Sequence, residues 1–246
     1  MNRVPVDTRG HYETHLAAHY SWIYGGFDAQ YARNTDFFAS RAIVPRSTGV
    51  AIDLGCGSGF QSIPLAEAGF HVLAVDFSAK LLGELRERAG GLAIQTIESD
   101  LLDFESYKGR SPEIIVCMGD TLTHLASIDD VEALLARAHS ELVPGGRLLL
   151  TFRDLSVELK GSDRFIPVQS ERDRIFTCVL EYGTMHVIVN DLVHERTDQG
   201  WKMSVSSYEK LRTPPGLVHD RMTSMGFRIL EYENEKGMVT LIGGKE

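Results

Sequence analysis

Cysteine is scarce in this 246-residue chain, and positive charge is in deficit. The three cysteines, Cys56, Cys117 and Cys178, are odd in number and widely spaced. That excludes a disulfide framework and a zinc-ligand pattern. Cys117 and Cys178 fall in apolar runs and read as small core residues in a reducing compartment. Lysine and arginine total 25 against 34 aspartates and glutamates, a net charge of −9. Proteins that live on phosphate contacts need a basic surface, so nucleic acid is not an expected partner. No apolar run approaches the roughly 18 residues of a membrane span. The N-terminal stretch lacks the apolar core of a secretory signal. A cytoplasmic protein without a membrane partner is therefore expected.

What is present fits one large α/β domain. The apolar fraction, 43%, is ordinary for a packed protein, and the length suffices for a full core. Short apolar runs at 50–54, 71–75, 93–97, 114–118 and 147–152 read as strands. Helix-period segments lie between them. Residues 61–68 form one. Ser78 caps a second that carries Leu81, Leu82, Leu85 and Ala89. Ser127 and Asp130 open a third with Val131, Leu134, Leu135, Ala138 and Leu142, which must stop at Pro144-Gly145-Gly146. This alternation predicts a Rossmann-like, seven-stranded, mostly parallel sheet with helices on both faces.

Beyond Asp154 the rhythm changes. Runs at 174–182, 185–195 and 201–210, separated by turn residues, predict an antiparallel β insertion after the fifth strand. A helix at 217–225 and strands at 228–232 and 238–242 follow. The expected organisation is a helical cover over 1–45, a ligand-binding domain over 46–154 and 211–246, and the insertion over 155–210. The insertion serves either as a substrate cover or as the contact of a homodimer, since β-ribbons have edges to protect.

The strongest local signal is Ala51-Ile-Asp-Leu-Gly-Cys-Gly-Ser-Gly-Phe60. A strand running into Gly55, Gly57 and Gly59 turns sharply there and lets a ligand lie against bare backbone. A dinucleotide fingerprint needs its third glycine one residue later, to seat a diphosphate on the helix N-terminus. That spacing and the preceding Asp53 suit a phosphate-free ligand with an amino-acid tail and a positive charge. Asp76, at the end of the second strand, is placed to accept ribose hydroxyls. Asp100 is placed to meet an adenine amino group, with Leu101 packing on the ring.

With these residues in hand, the chain resembles the class I S-adenosylmethionine-dependent methyltransferases. The segment Asp53-Leu-Gly-Cys56-Gly-Ser-Gly is similar to that family's first motif. Val75-Asp76-Phe77 is similar to its ribose-binding acid, and Ser99-Asp100-Leu101 to its adenine contact. Val116-Cys-Met118-Gly119 resembles the fourth-strand motif beside the cofactor's methionine part. Tyr20-Ser-Trp22-Ile-Tyr24, with Phe27 and Tyr31, resembles the N-terminal cover of the small-molecule branch that includes glycine N-methyltransferase. The loop from Gly119 to Leu125 is similar to the corresponding loop there. The Asn-Pro-Pro-aromatic motif of nucleic-acid and glutamine N-methylating enzymes is absent. The resemblance implies S-adenosyl-L-methionine as cofactor and a small-molecule methyl acceptor.

In-line methyl transfer needs alignment and exclusion of water more than covalent help. Tyr20 and Trp22 are expected to close over the cationic sulfonium, or else simply to anchor a helix. His124 is expected to orient or deprotonate the acceptor, unless it is a structural histidine. Tyr24, Arg153 and Asp154 are further acceptor-side candidates, an arginine being suited to a carboxylate. His11, His15 and His19 have metal-like spacing, but they read as a solvated helix face beside Tyr12 and Leu16, so no metal is expected. Two rivals remain: a nicotinamide-dependent oxidoreductase, and a cofactor-binding protein without catalysis.

Overall fold

Alternation along each strand sends successive side chains to opposite sheet faces, and that alone builds a double-sided core here. The protein is described from a computed structural model covering residue 10 and residues 20–246. The histidine series and the Tyr12/Leu16 stripe lie outside the described residues.

A short helix, α1 (Tyr20–Ile23), and a longer one, α2 (Phe27–Ser40), precede the sheet. Then follow β1 (Val50–Leu54), α3 (Ser62–Glu67), β2 (His71–Asp76), α4 (Ala79–Ala89), β3 (Ile94–Glu98) and β4 (Ile114–Cys117). Next come α5 (Ile128–Glu141) and β5 (Arg147–Arg153). Strands β6 (Phe165–Ser170), β7 (Arg174–Tyr182), β8 (His186–Thr197) and β9 (Gly200–Leu211) form the insertion. Helix α6 (Pro215–Ser224) and strands β10 (Phe227–Glu235) and β11 (Met238–Lys245) close the described chain.

The main sheet has seven strands in the order β10-β11-β5-β4-β1-β2-β3. Strands β1 to β5 pair in parallel, and β11 runs antiparallel to both β5 and β10. Ile52 and Leu54 face a core completed by α5 and α6, through Leu134, Leu135, Val218 and Met222. Ala51, Val72, Ala74 and Val116 face the opposite core, which holds Phe38, Ile63, Leu82 and Leu85. Ser78 Oγ accepts from Leu81 N–H at 3.4 Å and so caps α4. Ser127 Oγ likewise accepts from Asp130 N–H at 3.1 Å and returns a bond to its carboxylate, a reciprocal cap on α5.

The order reverses between β1 and β4, since each has its next neighbour on the other side. In an open α/β sheet the carboxyl ends at such a switch leave a crevice. The insertion is a separate antiparallel sheet, β6-β7-β8-β9. It has one more strand than the sequence pattern predicts. Strand β6 carries Pro167 and a bulge between Pro167 and Gln169, which an edge strand tolerates and a periodicity argument discounts.

Among the described residues no helix is long and apolar enough to cross a membrane.

Candidate functional site

The glycine turn is built by exclusion. At Gly55 (φ +74°) a Cβ would lie 2.3 Å from Thr121 Cγ2; at Gly57 (φ +52°) it would meet Tyr20 Oη at 2.9 Å. Gly59 (φ +94°) would press on Leu85 in the same way. All three positions therefore need backbone without a side chain. The turn is pinned to β2 because Gly55 N–H and Cys56 N–H both donate to Val75 C=O, at 2.8 and 3.1 Å. Asp76 completes the hold: Oδ2 accepts from Gly57 N–H at 2.9 Å and Oδ1 from Ser78 N–H at 2.8 Å. Each oxygen has capacity for a further donor.

Above the turn lies a narrow cleft lined by Tyr20, Asp76, Phe77, Ser99, Leu101 and His124 among others. Tyr20 stacks on Phe60, ring centroids 5.5 Å apart, and Tyr24 meets the same ring edge-on at 5.8 Å. The bare turn, the carboxylate beneath it and the apolar walls of Phe77 and Leu101 fit an adenosyl group carrying an amino-acid tail. Nothing in this donor set calls for a diphosphate or a metal.

The residues singled out from sequence divide into four groups. Tyr20, Gly55, Gly57, Asp76, Phe77, Leu101 and His124 come together on the cleft. Asp53, Cys56, Gly59 and Met118 support it from below. Asp53 is 1% exposed and accepts from Ser62 Oγ at 2.5 Å. Burial, reinforced by the Asp76 charge, pushes its carboxyl up to about 7. Cys56 is buried under the turn, and burial raises its thiol well above the usual range. Met118 C=O accepts from Thr121 Oγ1 at 3.0 Å, and Gly119 N–H donates to Thr151 Oγ1 at 2.7 Å. Those bonds set the loop rather than line the cleft.

Asp100 and Trp22 fall elsewhere. Asp100 is exposed, and its Oδ1 accepts from Leu102 N–H at 2.8 Å within its own turn. Trp22 packs with Phe176 and Val193 of the second sheet, and the Arg174 guanidinium lies 4.4 Å over its ring. Asp154 is engaged by Ser156 and Asn234.

A second space adjoins the first. It is a cavity of about 340 Å³ between Tyr24, the end of β5 and the inner face of the second sheet. Two ring pairs separate the spaces. Tyr20 on the cleft lies 5.0 Å from Tyr24 in the cavity, and His124 on the cleft stacks at 5.6 Å on Tyr208 in the cavity. The cavity is lined by Tyr24 and Arg153, the acceptor-side candidates, together with Asp120, Cys178, Asp191 and Lys210, which sequence reading did not single out as site residues.

Lys210 Nζ donates to Asp120 Oδ2 at 2.6 Å; Arg153 Nε lies 3.7 Å from the same oxygen, and its backbone N–H donates to Oδ1 at 3.1 Å. Burial works against the Asp120 charge, but these two cations outweigh it and hold the carboxyl well below the usual range. Burial, with the Asp120 charge adding to it, pushes the Tyr24 hydroxyl far up. Cys178 is only half-buried, and its thiol donates to Asp191 Oδ1 at 2.9 Å. Burial, and then Asp191, raise that thiol strongly. The core role read for Cys178 from sequence thus gives way to a place on the cavity wall.

Residues 51–146 match the family model of a methyltransferase domain. A glycine/sarcosine N-methyltransferase of Halorhodospira halochloris is 32% identical over 130 residues, which is 52% of this chain and 48% of that protein. Another, from Aphanothece halophytica, is 34% identical over 110 residues, 44% of this chain and 42% of that protein. The chain therefore spans about half the length of these curated relatives. Among solved structures, an S-adenosylmethionine-dependent methyltransferase from Clostridium acetobutylicum superposes with TM-score 0.72 at 15% identity, covering 95% of this chain and 96% of that one. An S-adenosylmethionine-bound amino pentose methyltransferase of Micromonospora echinaspora gives 0.72 at 16% identity, with 99% and 100% covered. By its fold and by the segment 51–146, the chain resembles the class I S-adenosylmethionine-dependent methyltransferases.

Proposed function

We propose that this protein is an S-adenosylmethionine-dependent methyltransferase that acts on a small molecule, and on a nitrogen atom of it. One observation carries the reading: a side-chain-free turn, closed against Thr121 and Tyr20, opens beside a second cavity across two ring pairs. The curated relatives named as N-methyltransferases support the choice of nitrogen. When bound, S-adenosylmethionine supplies an electrophilic methyl group on a sulfonium.

The chain's own residues bind, orient and exclude water. Asp76 takes ribose hydroxyls on its remaining lone pairs. Phe77 and Leu101 flank the base. Tyr20 closes over the turn, and its ring face tolerates a positive charge. His124 and Tyr208 form the wall that orients the acceptor for in-line attack. Residues 46–154 and 211–246 hold the donor, 155–210 cover the acceptor, and 1–45 complete the cover. With a net charge of −9, the protein acts on small molecules in the cytoplasm rather than on nucleic acid. Exposed Phe165, Ile175 and Met203 on the second sheet support a contact between two copies, which sedimentation over a concentration series checks.

Calorimetric titration separates this reading from its rivals. S-adenosylmethionine and its demethylated product bind; NADH does not. Preferential NADH binding points to an oxidoreductase. Transfer of labelled methyl groups to a metabolite extract distinguishes an enzyme from a cofactor-binding protein without catalysis.

A further inference from the structure

We infer that the protein carries a further ligand site, at the sheet edge opposite the cleft, where Arg46 and Arg147 grip a phosphate group carried on a small organic molecule. The site is separate from both the cleft and the cavity.

The cleft opens at the carboxyl ends of the parallel strands, whereas this site opens at the amino ends of β4 and β5. Two hollows meet there, of about 290 and 390 Å³, and Gly145 and Arg147 line both. The segment Pro144-Gly145-Gly146, which stops α5, also shapes them. Gly145 takes φ +80°, and a Cβ at Gly146 would press on Val143 C=O at 2.8 Å. The chain therefore turns tightly and delivers Arg147 at the first position of β5, where its N–H donates to Glu113 C=O at 2.9 Å. Arg46 reaches the smaller hollow from the linker between α2 and β1.

The acids and the lysine of this edge are already engaged. Glu113 is 7% exposed; its Oε2 accepts from the N–H groups of Arg46 and Ser47, each at 2.9 Å, and from Ser47 Oγ at 3.0 Å. Its Oε1 accepts from Gly49 N–H at 2.7 Å, so this carboxylate holds the linker in shape. Glu246 lies 3.8 Å from Arg228. Lys245 Nζ donates to Ser140 and Leu142 C=O at the end of α5, at 3.3 and 2.6 Å.

The two guanidinium groups are placed differently. Among the described residues, neither forms an ion pair with a carboxylate. Arg147 Nη1 donates to Arg41 C=O and Arg46 Nη2 to Ala42 C=O, both at 3.4 Å, long bonds that leave most of each donor fork open. Burial lowers the Arg147 pKa, and the Arg46 charge lowers it further, so the charge acting on Arg147 is that of another cation. In a chain of net charge −9, two cations that repel each other are a local exception, and an anion lodged beside both removes the repulsion.

The ligand's chemistry follows from that pair. A phosphate monoester carries about 1.5 to 2 negative charges at neutral pH, and its oxygens suit two guanidinium forks. A carboxylate carries one charge and leaves one cation unanswered. Val44, 50% exposed, and Pro144 border the smaller hollow with carbon, so an organic body beside the phosphate covers apolar surface.

Calorimetry on the full chain, at constant ionic strength so that screening is equal, tests the site with phenyl phosphate, inorganic phosphate and benzoate. Phenyl phosphate is expected to bind most tightly, inorganic phosphate about threefold and benzoate about tenfold more weakly. Arg147→Gln and Arg46→Gln each weaken phenyl phosphate binding about tenfold. Arg86→Gln, at an exposed arginine of α4 that bonds Thr96, changes it less than about twofold. Saturating S-adenosylhomocysteine leaves phenyl phosphate affinity unchanged. If one arginine variant does not fold, the other and the wild-type probe comparison decide. Absence of phenyl phosphate binding overturns the inference, as does benzoate or inorganic phosphate binding equally tightly. Binding that survives both arginine substitutions, or that S-adenosylhomocysteine displaces, overturns it too.

Discussion

The cleft and the cavity are built by opposite means. The floor of the cleft is made of backbone: three glycines in alternate positions, a carbonyl of β2 that pins them, and one aspartate that accepts from the turn and from the start of the next helix. The cavity is made of side chains drawn from α1, β5 to β9 and the loop after β4. A backbone site is written in a few consecutive residues and tolerates little change. A side-chain site is assembled at a distance and can be altered one residue at a time. Such a division lets one donor scaffold serve many acceptors.

Breaking the cavity's ion pair has the largest expected effect. Lys210→Met leaves the half-buried Asp120 without its nearest cation, at a cost of about 3 kcal/mol in denaturant unfolding. Adding Asp120→Asn recovers much of that loss, because the cost lies in the unpaired charge. The cleft responds differently. Gly55→Ala, with φ at +74° and Thr121 in the way, costs about 1–3 kcal/mol. It weakens S-adenosylhomocysteine binding about tenfold or more, whereas the Lys210→Met/Asp120→Asn pair changes it less than about twofold. Equal losses in the two variants contradict the division.

A pH prediction sharpens the same contrast. The folded-state carboxyl of Asp53 stands at about 7, above the model-peptide 3.8, so the native protein keeps a proton that the unfolded chain has lost. That contribution is full below about 4 and declines as pH rises to about 7. Asp76 is raised as well, and its slope has the same sign. Asp53→Asn therefore flattens the fall in stability across this window, in urea midpoints measured at successive pH values. Asp120 is depressed, so its contribution is kept throughout that range and is lost only in stronger acid.

The smallest expected effects separate two neighbours on α1. Tyr20→Ala weakens S-adenosylhomocysteine binding about fivefold, because the ring that closes over the turn is lost. Trp22→Ala changes it less than about twofold, since that ring does not line the cleft.

How far the sequence revealed each region follows from this construction. The strand, the glycine turn, Asp76 and Leu101 lie within one stretch of chain and could be read directly. The helical spacing around Tyr20 was also readable, with Trp22 open as a lid or as a helix anchor. Both rings pack toward Phe176 and Val193, and of the two Tyr20 also lines the cleft. Asp191 left no signal, because β8 reads His-Val-Ile-Val-Asn-Asp-Leu-Val, with apolar residues on both faces. Only its register against Cys178 and Ser206 places it on the cavity. Lys210 and Asp120 are likewise joined by the fold, 90 residues apart.

The measurement closest to the central claim is a crystal structure of the protein with S-adenosylhomocysteine. The predicted result puts the adenosyl group against Gly55 and Gly57 between Phe77 and Leu101, with the sulfur facing the Tyr24 side. An adenosyl group seated away from the glycine turn, or a sulfur directed away from that cavity, contradicts the account.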